Sequence, residues 1–172
     1  MLDPAIREAL LTVLRPIYQD LDGVSREGDI ERVSRIARAL TGPTRELELL
    51  LLLYPAAKWL EKSGNVSRVA LTSGITEAEL RELSASLRRL TQPQSDAERA
   101  LAAALLIDRS GVRGLAEMFG RARREGRSVT DIARAALAET TIPEWMSDEA
   151  AEMLEERLQS RAEFCEALLR EG

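Results

Sequence analysis

Residues 44–58 read TRELELLLLLYPAAK and contain the longest run of leucines in the chain. Leucines fill positions 49–53, so a helix that begins at Thr44 is apolar around most of its circumference. A helix of this kind normally lies buried at the centre of a domain. Pro55 lacks a backbone N–H and its ring clashes with the carbonyl of Leu51, so we expect the central helix to kink or restart there.

Helix start and stop signals on both sides of this run divide the chain into about eight helices. Asp3 followed by Pro4 predicts an N-cap, and Thr76 with Glu79 predicts a capping box. The expected segments are residues 3–20 with a bend at Pro16, 30–40, 44–64, 76–90, 95–107, 112–124, 128–138 and 147–169, with Gly23 and Gly28 bracketing the first loop. No segment alternates apolar and polar residues over the length of a strand. The sequence therefore predicts an all-α fold in a single compact multi-helix domain that covers residues 1–172.

The charge of the chain indicates whether nucleic acid is an expected binding partner. The formal net charge is −5, whereas a dedicated nucleic-acid-binding domain is normally basic. Residues 66–90 superficially resemble a helix-turn-helix, but their charge is mixed, so we do not expect nucleic acid as a partner. A local basic cluster is formed by Arg121, Arg123, Arg124 and Arg127, and we interpret it as the cationic end of a helix.

Several catalytic classes are excluded by residue counts. The chain contains no His and one Cys, so a His-ligated metal site and a Ser-His-Asp triad are ruled out. Cys165 has no internal partner for a disulfide, and we expect it to be a buried apolar residue. A reducing cytoplasm is the expected location. We expect neither a secretory signal nor a membrane span, since charges interrupt the first residues and residues 49–54 are too few to cross a bilayer.

Three segments carry a resemblance. Residues 28–33 read GDIERV, residues 51–58 read LLLYPAAK, and residues 104–116 read ALLIDRSGVRGLA. In order and spacing they resemble the His-Asp-x-x-His-Val, Leu-Leu-His-Asp-Ile-Gly-Lys and Ala-Asp-Arg-Leu-Asp-Ala-Leu-Gly-Ala-x-Gly-Ile-Ala motifs of the HD-domain metal-dependent phosphohydrolases. Arg161 and Phe164 are similar to the C-terminal helix of that family. The resemblance implies an HD-like helical fold.

The residues that hold metal in that family are missing here. In the family, a His, a His-Asp pair and a later Asp bind the metals that activate water against a phosphoester. The matching positions of this chain are Gly28, Tyr54, Pro55 and Leu105, and Arg32 replaces a further His. These side chains are poor metal ligands or none at all. The resemblance therefore implies a degenerate member without metal, cofactor or the family's catalysis, in which Leu105 fills the old ligand position as a buried residue.

The charged residues that remain suggest a binding site. Asp29, Lys58 and Asp108 match the family motifs. Together with Arg32 and Arg88, or Arg89 in place of Arg88, they are the candidate binding residues for a small anionic, phosphate-bearing ligand, because Arg makes bidentate contacts to phosphate. Asp29 and Asp108 would set the orientation of the basic side chains. The alternative is that these charges only pair with one another. We interpret the protein as a catalytically inactive HD-like binding or interaction module.

Two other functions are kept open. A homo-oligomeric scaffold could use the apolar residues of the last helix, namely Trp145, Met146, Met153, Leu154, Phe164 and Leu168, although packing in the core explains them more simply. A phosphohydrolase with a relocated carboxylate metal site is the enzymatic alternative, but no cluster of Asp and Glu at ligand spacing supports it.

Overall fold

The computed structural model describes residues 1–18 and 27–171 of the chain. These residues form ten α-helices and two 3₁₀ turns, with no β-strand among them, so the all-α prediction is confirmed. The helices are α1 (Pro4–Leu14), α2 (Glu27–Thr41), α3 (Arg45–Leu53), α4 (Ala57–Leu60), α5 (Asn65–Ser73), α6 (Glu77–Arg88), α7 (Asp96–Ser110), α8 (Val112–Arg124), α9 (Val129–Ala138) and α10 (Asp148–Glu171). The 3₁₀ turns are Arg15–Ile17 and Tyr54–Ala56. None of the described helices is long and apolar enough to cross a membrane.

The helices group into two compact units. The first unit, Met1–Ala102, contains α1 to α6 and the beginning of α7. The second unit, Ala103–Gly172, contains the rest of α7 and α8 to α10. The expectation of a single domain over the whole chain stays a prediction.

The central position of α3 is confirmed. Every residue of α3 from Leu47 to Leu53 is buried, including Glu48, and the helix contacts α1, α2 and α6. Burying a leucine side chain contributes about 1.5–3 kcal/mol, so this run is a large part of the core of the first unit.

The local signals around the helices are mostly confirmed. The Asp3 carboxylate accepts a hydrogen bond from the Ala5 amide at 2.8 Å, and the Thr76 hydroxyl accepts one from the Glu79 amide at 3.2 Å. The expected bend at Pro16 corresponds to the first 3₁₀ turn. Gly28 does not bracket a loop but lies in the first turn of α2, where it is exposed and unobstructed. Gly23 and the expected end of the first helix lie outside the described residues.

The break at Pro55 is confirmed as well. Helix α3 ends at Leu53, the chain passes through a 3₁₀ turn, and α4 restarts at Ala57. At this break the hydroxyl of Tyr18 donates a hydrogen bond to the carbonyl of Leu52 at 2.6 Å. Burial, and after it the nearby Tyr54, raises the pKa of Tyr18 above its ordinary value, so the hydroxyl keeps its proton.

We expect Tyr18→Phe to lower the free energy of unfolding by about 1–3 kcal/mol, because the buried carbonyl of Leu52 loses a donor. Ser84→Ala is the control: the Ser84 hydroxyl donates to the carbonyl of Leu80 at 2.8 Å, within its own helix. Such a bond adds little to a helix, so this variant should stay within about 0.5 kcal/mol of the wild type. Urea unfolding measures both, and equal losses in the two variants would contradict the role given to Tyr18.

The second unit has a small core of its own. Leu115, Ala133, Ala136 and Cys165 are buried together, and Met118, Phe119, Leu137, Leu168 and Leu169 pack against them. Burial of Cys165 is as expected, and it raises the pKa of the thiol, with the charge of Arg161 acting in the opposite direction. Phe164 is 44% exposed, whereas Leu154 is buried, so the apolar residues of α10 are divided between core and surface.

Candidate functional site

The five candidate binding residues come from four helices, α2, α4, α6 and α7. Asp29 and Arg32 are on α2, where the guanidinium of Arg32 contacts the Asp29 carboxylate at 2.8 Å. Lys58 is exposed on α4, and Arg88 is exposed at the last position of α6. Asp108 is half-buried on the part of α7 that belongs to the second unit. The pairing of Asp29 with Arg32 agrees with the alternative that these charges hold one another, and a ligand-binding role for the five stays a prediction.

The positions that match the family's metal ligands can also be placed. Gly28 is in the first turn of α2, and Tyr54 and Pro55 form the 3₁₀ turn after α3. The expectation that Leu105 is buried was wrong: this residue is only half-buried. The fully buried face of α7 carries Ala104 and Ile107, and Leu105 lies at its edge. Within the described residues, no group of three or more Cys, Asp or Glu could hold a metal ion.

The first unit contains a pocket of about 380 Å³. Its lining residues come from α1, α2 and α3, and are Arg7, Ile30, Glu31, Ser34, Arg35, Arg38, Glu48, Leu51 and Leu52. The volume is in the range of pockets that hold small molecules. Of the five candidate residues named from the sequence, none belongs to this lining.

One arginine of the pocket is fixed by a buried carboxylate. Nε of Arg38 donates to Glu48 at 2.6 Å and Nη2 donates to the second oxygen of the same carboxylate at 2.7 Å. These hydrogen bonds outweigh the effect of burial and lower the pKa of Glu48, and the charge of Arg7 lowers it further. The pair leaves Nη1 of Arg38 unused by Glu48, so the orientation of Arg38 is set while N–H groups remain for another acceptor.

The other two arginines are differently placed. Neither Arg7 nor Arg35 forms an ion pair with any other residue that the structure describes. They come from two helices, α1 and α2, and both line the same pocket. An unpaired guanidinium on the wall of a pocket is a ready donor for an oxyanion.

The hydroxyl of Ser34 is a further donor in this pocket. Ser34 is 6% exposed and lines the pocket, and within residues 1–18 and 27–171 its hydroxyl has no hydrogen-bond partner. Three other helical serines bond to the carbonyl four residues earlier, as Ser73 does to Val69 at 2.8 Å. No fully buried side-chain oxygen or nitrogen of the described residues lacks a partner, so the Ser34 hydroxyl is accessible from the pocket and can bond to a ligand or to water.

The pocket as a whole favours anions. Three guanidiniums and two carboxylates leave one net positive charge, and the Arg38–Glu48 pair neutralises itself. Leu51 and Leu52 of α3 contribute apolar side chains to the lining. Positive donors together with apolar side chains suit a small oxyanion attached to a carbon skeleton.

A second pocket of about 540 Å³ lies over α3 and α6 and has a different character. Its two arginines are both engaged by carboxylates, Arg45 by Glu79 and Arg89 by Glu98. Glu46 and Glu82 also line it, so its charge is negative. The arrangement is poorly suited to anions.

One feature of the sequence points to the pocket of α1, α2 and α3, which we call the arginine pocket because Arg7, Arg35 and Arg38 line it. Glu48 is the single charged residue within the run of buried positions 47–53, and a buried carboxylate normally has a charged partner. That partner, Arg38, lies on the preceding helix, with Arg35 one turn before it. None of the three belongs to the motifs that indicated a binding site from the sequence.

Comparison with known proteins adds no assignment: no protein-family model, curated protein or solved structure matches this chain.

Proposed function

We propose that this protein is a binding module for a small oxyanion, and that the ligand occupies the pocket formed by α1, α2 and α3. The observation that carries the proposal is that Arg7, Arg35 and Arg38 line one pocket, together with Ser34, whose hydroxyl bonds to none of the described residues. Charge-assisted hydrogen bonds from guanidinium to carboxylate or phosphate are among the stronger contacts available to a protein.

The proposal also includes a degenerate HD-like ancestry without catalysis. The three sequence motifs support the ancestry, and the replacement of the four ligand positions by Gly28, Tyr54, Pro55 and Leu105 supports the loss of the chemistry. Binding of a phosphate-bearing molecule would need no metal if arginines supply the positive charge.

The test is a thermal-shift titration with inorganic phosphate, with chloride at the same ionic strength as the reference. A ligand at a hundred times its dissociation constant stabilises the folded state by about 2.7 kcal/mol, which is a visible shift of Tm. Arg35→Gln should weaken phosphate binding by about tenfold, because one charge-assisted contact is lost.

Matched variants make the test specific for this pocket. Arg68→Gln removes an exposed arginine of α5 outside the pocket and should bind phosphate like the wild type. Arg32→Ala and Lys58→Ala change two residues of the site expected from the sequence motifs. Both variants should also bind phosphate like the wild type. If phosphate does not raise Tm, or if Arg35→Gln responds like Arg68→Gln, the proposal is wrong.

A further inference from the structure

Glu31 and Arg35 lie four residues apart on α2 and both line the arginine pocket. A Glu four residues before an Arg is the favourable order for an ion pair on a helix. Elsewhere in the first unit the same spacing does produce a pair, between Glu77 and Arg81 at 2.8 Å. Yet Glu31 and Arg35 form no ion pair with each other or with any other described residue.

The two side chains therefore present separate opposite charges to the pocket. Side chains at this spacing have Cβ atoms about 5–6 Å apart, which is the length of a small organic molecule. Arg7 adds a second positive charge on the side of α1. Once the Arg38–Glu48 pair is set aside, two positive charges and one negative charge remain for a ligand.

We propose that the ligand is dipolar: an oxyanion that binds Arg35 and Arg7, joined by a short carbon chain to an ammonium group that binds Glu31. This inference rests on the proposed oxyanion function of the pocket and specifies its ligand class. A phosphomonoester with one ammonium group carries a net charge close to −1 near neutral pH, which matches the single net positive charge of the pocket. The apolar side chains of Leu51 and Leu52, which also line the pocket, suit contact with the carbon chain.

The test compares three probes by isothermal titration calorimetry: inorganic phosphate, 2-aminoethyl phosphate and propyl phosphate. The last two have the same number of non-hydrogen atoms, and the ammonium of one is replaced by a methyl group in the other. We expect 2-aminoethyl phosphate to bind at least about fivefold more tightly than propyl phosphate, as one partly exposed charge contact allows. Glu31→Gln should reduce this preference to less than about twofold and leave inorganic phosphate bound at least as tightly as before.

Glu152→Gln is the control, since this exposed glutamate lies in the second unit, and it should keep the full preference. The proposal of a dipolar ligand is wrong if the two esters bind equally to the wild type, or if Glu31→Gln keeps the preference for 2-aminoethyl phosphate. Neither result contradicts the oxyanion function. If none of the three probes binds, or if Arg35→Gln binds all of them like the wild type, the proposed oxyanion function is wrong. The proposal of a dipolar ligand is then wrong as well, because it rests on that function.

Discussion

Gly114→Ala should destabilise the protein by about 3 kcal/mol or more. Gly114 is in the first turn of α8, and a Cβ atom at this position would lie 1.6 Å from the carbonyl oxygen of Arg109 and 2.4 Å from its carbonyl carbon. The obstructing atoms are backbone atoms at the end of α7, so no change of side-chain rotamer relieves the overlap. The junction between α7 and α8 would have to open, and the core of the second unit around Leu115 would move with it.

Gly120→Ala is the matched control because it makes the same change in the same helix. No atom outside the local backbone lies within 4 Å of a Cβ placed at Gly120. Alanine is the better helix former, so this variant should gain up to about 1 kcal/mol. Urea unfolding followed by circular dichroism compares the two variants. Similar midpoints for Gly114→Ala and Gly120→Ala would contradict the close approach of position 114 to the backbone of Arg109.

Glu98→Gln should lower the free energy of unfolding by about 3 kcal/mol at neutral pH. The Glu98 side chain is fully buried and accepts hydrogen bonds from the guanidinium of Arg89 and, at 2.7 Å, from the Gln94 amide. Glutamine keeps the shape but replaces one acceptor oxygen by a donor and leaves Arg89 without its counter-charge. Glu79→Gln makes the same change in a more exposed pair with Arg45, and it should cost less than about 1 kcal/mol.

The effect of Glu98→Gln should depend on pH. Burial alone would raise the pKa of Glu98, but the hydrogen bonds from Arg89, Gln94 and Ser86 outweigh it and lower the pKa from 4.5 to about 2. A depressed pKa means that the ionised carboxylate stabilises the folded state above the unfolded pKa, and that this stability is lost as the pH falls. The difference between wild type and Glu98→Gln should therefore narrow between about pH 5 and about pH 2. A difference that stays constant over this range would contradict the role given to the Glu98 charge.

The sequence predicted those parts of the fold that depend on neighbouring residues. The cap at Asp3, the capping box at Thr76 and the restart after Pro55 each follow from chemistry within a few positions, and all are present. The bond from Tyr18 to Leu52 joins residues 34 apart, and no local pattern indicates it. The prediction that Leu105 is buried failed. A sequence motif indicates where a residue lies along a helix, but how deeply that residue is buried depends on the neighbouring helices.

The candidate site was harder to predict for a physical reason. Arg35 and Arg38 look like many other arginines in a chain that is rich in them, and their difference lies in where the guanidinium points and what it contacts. Arg38 is oriented by Glu48, whereas Arg35 forms no ion pair with any described residue despite a glutamate at favourable spacing. Such distinctions come from tertiary packing, whereas the sequence motifs directed attention to Arg32 and Lys58.

The most direct test of the oxyanion site is a nuclear magnetic resonance titration of ¹⁵N-labelled protein with inorganic phosphate at constant ionic strength. The guanidinium Nε–H signals of arginine report on contact with an anion, and they can be assigned by substitution. We expect saturable shifts for Arg7, Arg35 and Arg38, with little change for Arg32. The oxyanion site is contradicted if the largest shifts fall on Arg32 or on the basic residues at 121–127, or if all signals move slightly without saturation.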